Sequence, residues 1–251
     1  GRVVQGVADI AWGLPGYTSS QFEKTMIVEL PGTLSNEDAG YAAMWNAYSD
    51  HLASEFPGTV PVALWTSEPN VFIMKDHVIR KPSDLAGLKV RVAGATAADV
   101  ATALGATPVQ MPINQVYNAL QTGLIDGVIT GSSTLNDFKL DEVANSYTFG
   151  ANLGRLSFYA VMNKKKYDSL SAEHRAALDS VRGMPLSKSA EDAWNETAIE
   201  GVAAARLLDD NTFVDLTEAE AAAFAAAIAP VTGAYVDAVG GQAAQAAMQA
   251  K

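Results

Sequence analysis

The sequence predicts an α/β protein of two lobes, built on mainly parallel mixed sheets and finished by long C-terminal helices. Three observations predict it. Short apolar stretches alternate with stretches of helical period through the middle of the chain. Beyond about residue 163 helix signals dominate. Gln5-Gly6-Val7-Ala8-Asp9-Ile10 and Gln121-Thr122-Gly123-Leu124-Ile125-Asp126-Gly127 echo one another, each running from a helix end through Gly-x-x-Asp into a strand. A βα unit used twice implies two similar lobes, with the positions after each strand, near Gly13 and Thr130, facing one cleft.

The opening residues read as the tail of a helix, with Gly6 where a C-terminal cap belongs. A strand over 7–12 and a Gly/Pro loop around Gly13, Pro15 and Tyr17 follow. Ser35-Asn36-Glu37-Asp38 reads as a helix start, continued at helical spacing by Tyr41, Met44, Trp45, Tyr48 and Leu52. Strands are expected over 58–65, 71–74 and 88–92, then a helix over 96–104 closed by Gly105. A brief strand begins at Val109, a helix covers 114–121, and a further strand covers 125–130. After a strand over 156–163, Ser171 caps a helix. Thr217-Glu218-Ala219-Glu220 forms a capping box, Pro230 interrupts the Ala-rich run behind it, and the last Ala/Gln segment is helical.

Composition narrows the function. With 17 Lys and Arg against 28 Asp and Glu, the net charge of -11 repels phosphate backbones and anionic lipid, so nucleic acid is excluded as a partner. No uninterrupted apolar run reaches the roughly 20 residues that cross a bilayer, and no membrane insertion is expected. The absence of cysteine removes disulfides, thiolate nucleophiles and thiolate metal sites. Nucleophile-elbow, zinc-protease, phosphate-loop and dinucleotide motifs do not occur, and His51, His77 and His174 lack ligand-like spacing, so neither cofactor nor metal is expected. An anionic ligand would meet an opposing global field and would need a local cation.

Arg91 is the candidate for that cation. In Leu88-Lys89-Val90-Arg91-Val92, alternation sets Lys89 and Arg91 opposite the three apolar residues, and Arg91 lies at the carboxyl end of its strand, where open α/β sheets bind ligands. A guanidinium grips a carboxylate through two parallel hydrogen bonds. A solvated surface arginine would show the same spacing. Trp12, Tyr17 and Trp65 flank strand ends and can wall a pocket, or simply pack in the core. Asp9 and Asp126 each stand where a strand begins and read as ligands of nearby backbone amides rather than a catalytic pair. Gly131-Ser132-Ser133-Thr134 reads equally as an anion nest or a helix cap.

Lys81-Pro82-Ser83-Asp84-Leu85-Ala86-Gly87-Leu88-Lys89-Val90-Arg91-Val92 resembles the segment before the ligand-binding arginine of TRAP-transporter solute-binding proteins. Leu104-Gly105-Ala106-Thr107-Pro108-Val109 and the run from Val116 to Gly127 are similar to that family's next two signatures, in order. Gly6-Val7-Ala8-Asp9, Glu29-Leu30-Pro31 and Val161-Met162-Asn163 extend the likeness over nearly the whole chain. The resemblance implies a two-lobed periplasmic-binding-protein-like fold. Lobe I comprises 1–68 with 156–195 and is N-terminally incomplete by about 50 residues, a strand-helix-strand-helix stretch; lobe II comprises 69–155 with 196–251.

The resemblance further implies a periplasmic protein that closes on a small organic acid and delivers it to a TRAP-type membrane permease, without catalysis. Arg91 becomes the carboxylate anchor, with Trp12, Gly13, Tyr17, Trp65, Ile113, Thr130 and Phe158 around the ligand. Val71 and Thr130 fall where sialic-acid members carry an arginine and an asparagine, and Tyr17 replaces another arginine, so a sugar acid is disfavoured and a small or aromatic monocarboxylate expected. The alternatives are an α/β enzyme of small-molecule metabolism with Asp126 or His77 as base, and a structural partner protein using its helices.

Overall fold

The computed structural model describes residues 1–250. Residues 1–7 form a capped helical turn: Val7 N–H donates to Arg2 O (2.9 Å) and Gly6 N–H to Val3 O (3.0 Å), with Gly6 at φ 74°. That pairing closes a helix end through a left-handed residue, which glycine adopts without Cβ strain. Leu124 to Ala119 and Gly123 to Leu120 repeat it, and so do Ala106 to Ala101 and Gly105 to Thr102. The echo in the sequence is therefore one junction used three times, each use releasing the chain into a strand.

The elements run β1 (Ile10–Gly13), α1 (Gly40–Ala47), β2 (Thr59–Thr66), β3 (Val71–Met74), β4 (Lys89–Val92), α2 (Ala95–Ala103), β5 (Thr107–Gln110) and α3 (Val116–Gln121). β6 (Gly127–Thr130), α4 (Thr134–Asp137), β7 (Ser146–Phe149), β8 (Ser157–Asn163), α5 (Lys164–Asp168), α6 (Ala172–Val181) and α7 (Met184–Ala205) follow. β9 (Thr212–Asp215), α8 (Glu218–Ala238) and α9 (Gln242–Gln249) end the described chain.

Two sheets form two lobes. The smaller has the order β1-β8-β2, and the larger β5-β4-β6-β3-β7-β9. Parallel pairing is confined to the larger sheet, in β4 with β5, β4 with β6, and β7 with β9; β3 runs antiparallel to both neighbours. The smaller sheet is antiparallel at both of its pairings, because β8 returns from the far side of the chain and lies between β1 and β2. β7 and β9, absent from the sequence expectation, are four-residue strands that extend one edge of the larger sheet.

Several local readings change. The N-terminus of α1 is not capped by the Ser35–Asp38 segment. The Asp38 carboxylate accepts from Ser35 N–H, and the first helical amides, Gly40 and Tyr41, donate to Glu191 on α7 at 2.9 and 2.8 Å. Pro230 lies inside α8 without ending it, whereas Thr217 and Glu220 form the expected reciprocal cap. Asp126 accepts from Lys89 N–H as expected (2.7 Å), but Asp9 pairs with Lys166 at the surface instead of with an amide.

α7 runs along both lobes, with Ala190 and Trp194 against the smaller sheet and Val202 and Ala205 against the larger. α8 is long and apolar enough to cross a membrane by length and composition, yet Phe224 and Ile228 fill the core of the larger lobe and Val236 that of the smaller. α9 places Ala244 and Met248 in one core with Met26 and Met44, so 242–249 packs with the first lobe although the sequence division sets 196–251 with the second.

Candidate functional site

β4 ends at the boundary between the lobes, and Arg91 stands one residue from that end. Helices cover both faces of this sheet, so although Lys89 at the start of β4 is exposed, Arg91 on the same face is covered and only 1% exposed. The alternative of a solvated surface arginine is thereby removed. Its Nε donates to Met111 O at 2.9 Å and one Nη makes a longer contact, 3.4 Å, to the Tyr17 hydroxyl. No carboxylate among the described residues lies within ion-pair distance. Burial lowers the guanidinium pKa from its ordinary value, opposed only by Tyr17, and arginine stays charged throughout the physiological range.

Arg155, the other buried arginine, has a different setting. Its Nη atoms donate to Asp38 O and Ser35 O at 3.0 and 2.6 Å, and the carboxylates of Glu191, Asp38 and Glu68 support its charge. A buried cation without an opposite charge costs several kcal/mol. Arg155 is compensated by the protein and Arg91 is not.

Tyr17 comes from the loop after β1, on the facing lobe. Its hydroxyl accepts from Ile113 N–H (2.9 Å) and from Arg91, so both lone pairs are engaged, and its proton has no acceptor among the described residues. The lobes touch here. A Cβ on Gly94 would stand 2.6 Å from Gly16 Cα, and Ala95 N–H donates to Ser19 Oγ at 3.2 Å. Beside this contact lies a cavity of about 220 Å³ lined by Gly16, Tyr17, Ala93, Gln110, Met111 and Pro112. That is small for a ligand site, which suits a compact molecule. A larger groove of about 600 Å³ runs along α7 past Pro69, Phe149 and Ile199, but it holds no unpaired cation.

Thr130 lies on Arg91's side of the sheet. Arg91 pairs with Val128, and Thr130, two residues further along β6, shares the face of Val128. Its Oγ1 is buried without a hydrogen-bond partner among the described residues. Arg91, Tyr17 and Ile113 are thus brought together, with Thr130 on the adjoining strand.

Trp12, Trp65 and Phe158 form a second group. Trp65 pairs with Phe158 across β2 and β8, Trp12 with Ala160 across β1 and β8, and all three rings stand on the face covered by α7. Trp65 stacks on Phe158 at 5.4 Å, and Trp194 meets Trp65 edge-on at 5.5 Å. Ala93 and Leu14 join this cluster, linking it to the backbone beside Arg91 and Tyr17. Trp194 was not legible as a site residue, being a lone aromatic on a helix well removed in sequence from Trp12, Trp65 and Phe158. Gly13 stands apart, on the opposite face, where a Cβ would meet the Tyr159 hydroxyl at 2.8 Å. His51, His77 and His174 converge on nothing, and no metal-holding cluster of His, Asp and Glu occurs among the described residues.

Two α/β lobes joined by crossing strands and long helices, with a cleft-side cation left uncompensated, define a two-lobed periplasmic-binding-protein-like architecture. The chain belongs to the bacterial extracellular solute-binding proteins, family 7, which it matches over residues 2–237. It is 28% identical over 191 residues to the C4-dicarboxylate-binding periplasmic protein DctP of Rhodobacter capsulatus, covering 75% of this chain and 56% of that one. It spans 64% of a solute-binding protein of Albidiferax ferrireducens at 25% identity, so it represents between half and two-thirds of the curated relatives it matches most strongly.

Among solved structures, a TRAP solute-binding protein of Rhodoferax ferrireducens with copurified benzoate superposes with a TM-score of 0.93 at 28% identity, covering 99% of this chain and 80% of that one. A Bordetella bronchiseptica TRAP protein with bound (R)- and (S)-mandelate gives 0.90 at 26% identity, covering 99% and 81%. A marine metagenome protein specific for aromatic acid ligands, with 3-hydroxybenzoate, gives 0.89 at 29%, covering 99% and 80%.

Proposed function

We propose that this protein is the solute-capturing component of a TRAP transporter, holding a small aromatic monocarboxylate between its lobes and passing it to a membrane permease on the outer face of the cytoplasmic membrane. The observation that carries this reading is Arg91, a fully buried guanidinium with no protein carboxylate. A ligand carboxylate would supply the missing charge through bidentate hydrogen bonds, and the excluded water would strengthen them.

The Tyr17 proton and the Thr130 hydroxyl are further donors for the same carboxylate. Trp65, Phe158 and Trp194 offer an aromatic wall for a ring, at edge-on and stacked spacings that favour a further aromatic group. The benzoate, mandelate and hydroxybenzoate bound to the three superposed proteins support the choice of an aromatic acid over a dicarboxylate. Nothing in this scheme calls for bond making, so the reading is capture and release. Capture requires the lobes to separate and rejoin, with ligand favouring the joined state by its differential contacts.

The test is a thermal-shift screen of this chain against aromatic monocarboxylates, aliphatic dicarboxylates and primary amines. A ligand that binds only the folded state raises the unfolding temperature with concentration. Shifts confined to the aromatic acids are expected. Shifts confined to amines or dicarboxylates, or none with any acid, would overturn the reading.

A further inference from the structure

The chain has four tryptophans. Trp45 is partly buried and donates its indole N–H to Ser187 Oγ at 2.8 Å. Trp12 is 60% exposed, and Trp194 is only partly buried. Trp65 alone is fully buried, 4% exposed, with its Nε1 shut from solvent and without a partner among the described residues. Burying an indole N–H without an acceptor carries its whole desolvation penalty, and native interiors rarely leave such a donor unpaired.

The position of this donor is informative. Trp65 is the penultimate residue of β2, at the end from which the chain crosses to the other lobe. Its ring shares a cluster with Ala93, two residues after Arg91, and with Leu14, three before Tyr17. The side chains clustered with it are mainly apolar, Phe158, Leu156, Ala63 and Trp194, with Tyr41 at the margin. Through its lining, the cavity beside Arg91 and Tyr17 therefore adjoins two unlike settings. On one side stand a cation and two hydroxyls, Arg91, Tyr17 and Thr130; on the other, behind Ala93, the unpaired Trp65 donor sits among mainly apolar side chains.

We infer that the ligand carries, besides its carboxylate, one neutral oxygen acceptor on its aromatic body, and that Trp65 Nε1–H donates to it. This rests on the proposed function and narrows it to hydroxy-, oxo- or alkoxy-substituted aromatic monocarboxylates. A second carboxylate does not fit: an uncharged indole N–H cannot by itself repay the desolvation of an anion. A ring without an acceptor fits by shape but leaves the N–H unpaired. A site built to hydrogen-bond a substrate group discriminates strongly against the analogue that lacks it.

The test compares benzoate, 3-hydroxybenzoate and 4-hydroxybenzoate by calorimetry on this chain and on Trp65→Phe, reading the ratio of dissociation constants so that any general loss from altering the wall cancels. The unaltered chain is expected to prefer one hydroxybenzoate over benzoate by about tenfold, the scale of one buried hydrogen bond. Trp65→Phe should bring that ratio to within about twofold. In the unaltered protein labelled with ¹⁵N-tryptophan, the preferred hydroxybenzoate should move one buried indole N–H resonance downfield and slow its exchange with water, and benzoate should not. This second readout stands even where the variant fails to fold.

Equal affinity for all three acids, a preference retained in Trp65→Phe, or an indole resonance indifferent to the hydroxyl would each overturn the inference while leaving carboxylate capture intact. Failure of every acid to bind would instead bring down the parent reading, and this inference with it.

Discussion

Replacing Arg91 by alanine separates binding from folding in a way that follows from its surroundings. In the proposed complex the guanidinium would face a ligand carboxylate inside a closed cleft, and its truncation would leave that anion desolvated and unpaired, at a cost of about 2–5 kcal/mol. Affinity should fall between about 30-fold and several thousand-fold. The unliganded protein responds differently. It loses one hydrogen bond, Nε to Met111 O, and one long contact to Tyr17, but it is also relieved of a buried charge with no carboxylate partner. These contributions oppose each other, each on the order of a few kcal/mol, so the unfolding free energy should move by no more than about 1–2 kcal/mol.

Arg155→Ala supplies the contrast. It strips hydrogen bonds from Ser35 O and Asp38 O and removes the countercharge near Glu191 and Glu68, so stability should drop by about 3–5 kcal/mol. Arg91→Lys should recover only part of the lost affinity, because an ammonium lacks the paired geometry. Calorimetry with a bound aromatic acid and urea unfolding of the unliganded chain measure the two quantities. An Arg91→Ala protein that binds as tightly as the original, or that loses stability as heavily as Arg155→Ala, would refute the argument.

Three further outcomes follow from the same interior. Glu191→Ala leaves the amides of Gly40, Tyr41 and Thr66 without their acceptor and should cost about 2–4 kcal/mol by urea unfolding, a change under about 0.5 kcal/mol contradicting its role as a remote helix cap. Burial raises the pKa values of Glu29, Glu68 and Glu191 above the ordinary glutamate value, so the folded chain holds these protons more tightly than the unfolded one. Their contribution to stability therefore increases as pH falls from neutrality toward the ordinary glutamate range and declines as pH rises back through the folded values; a urea midpoint that falls on going from about pH 7.5 to about pH 5.5 would contradict this. Gly94→Ala introduces a methyl group against Gly16 Cα on the facing lobe, at a backbone conformation any residue adopts, and should hold the lobes apart. Scattering should then show a larger radius of gyration with ligand present and about tenfold weaker binding, in proportion to the lost closed population, whereas unchanged affinity would remove that contact from the closing surface.

Much of the fold was legible because local chemistry and tertiary structure agree. β3 begins and ends where the apolar run Val71–Met74 does, and Thr217 with Glu220 caps α8 as its spacing predicts. What was hidden depends on partners distant in sequence. β7 and β9 are too short to announce themselves; β7 is a strand because it lies between β3 and β9, and β9 because it pairs with β7. The cap of α1 comes from Glu191, which no window around residue 40 contains. Alternation placed Arg91 opposite the apolar face correctly but read that face as polar, since only the packing of helices on both sides reveals that it is covered. Trp194 joins the aromatic wall through the path of α7, which periodicity alone does not disclose. Gly13, by contrast, was read as a cleft residue and is instead relief for the Tyr159 ring.

The order of the small sheet, β1-β8-β2, has a consequence for how the chain comes into being. β1 and β2 never pair with each other, and the strand that joins them begins at residue 157. Five of the six strands of the large sheet, β3 to β7, lie within residues 71–149. As synthesis proceeds, the second lobe can assemble most of its sheet while β1 and β2 still lack the strand that lies between them. Open edges invite pairing with other chains, so the nascent protein passes through an interval when β1 and β2 are exposed to such pairing. β8 ends that interval, and Glu191 fastens α1 and β2 some thirty residues later. The small sheet thus gains its central strand only after five of the six strands of the large one have been made.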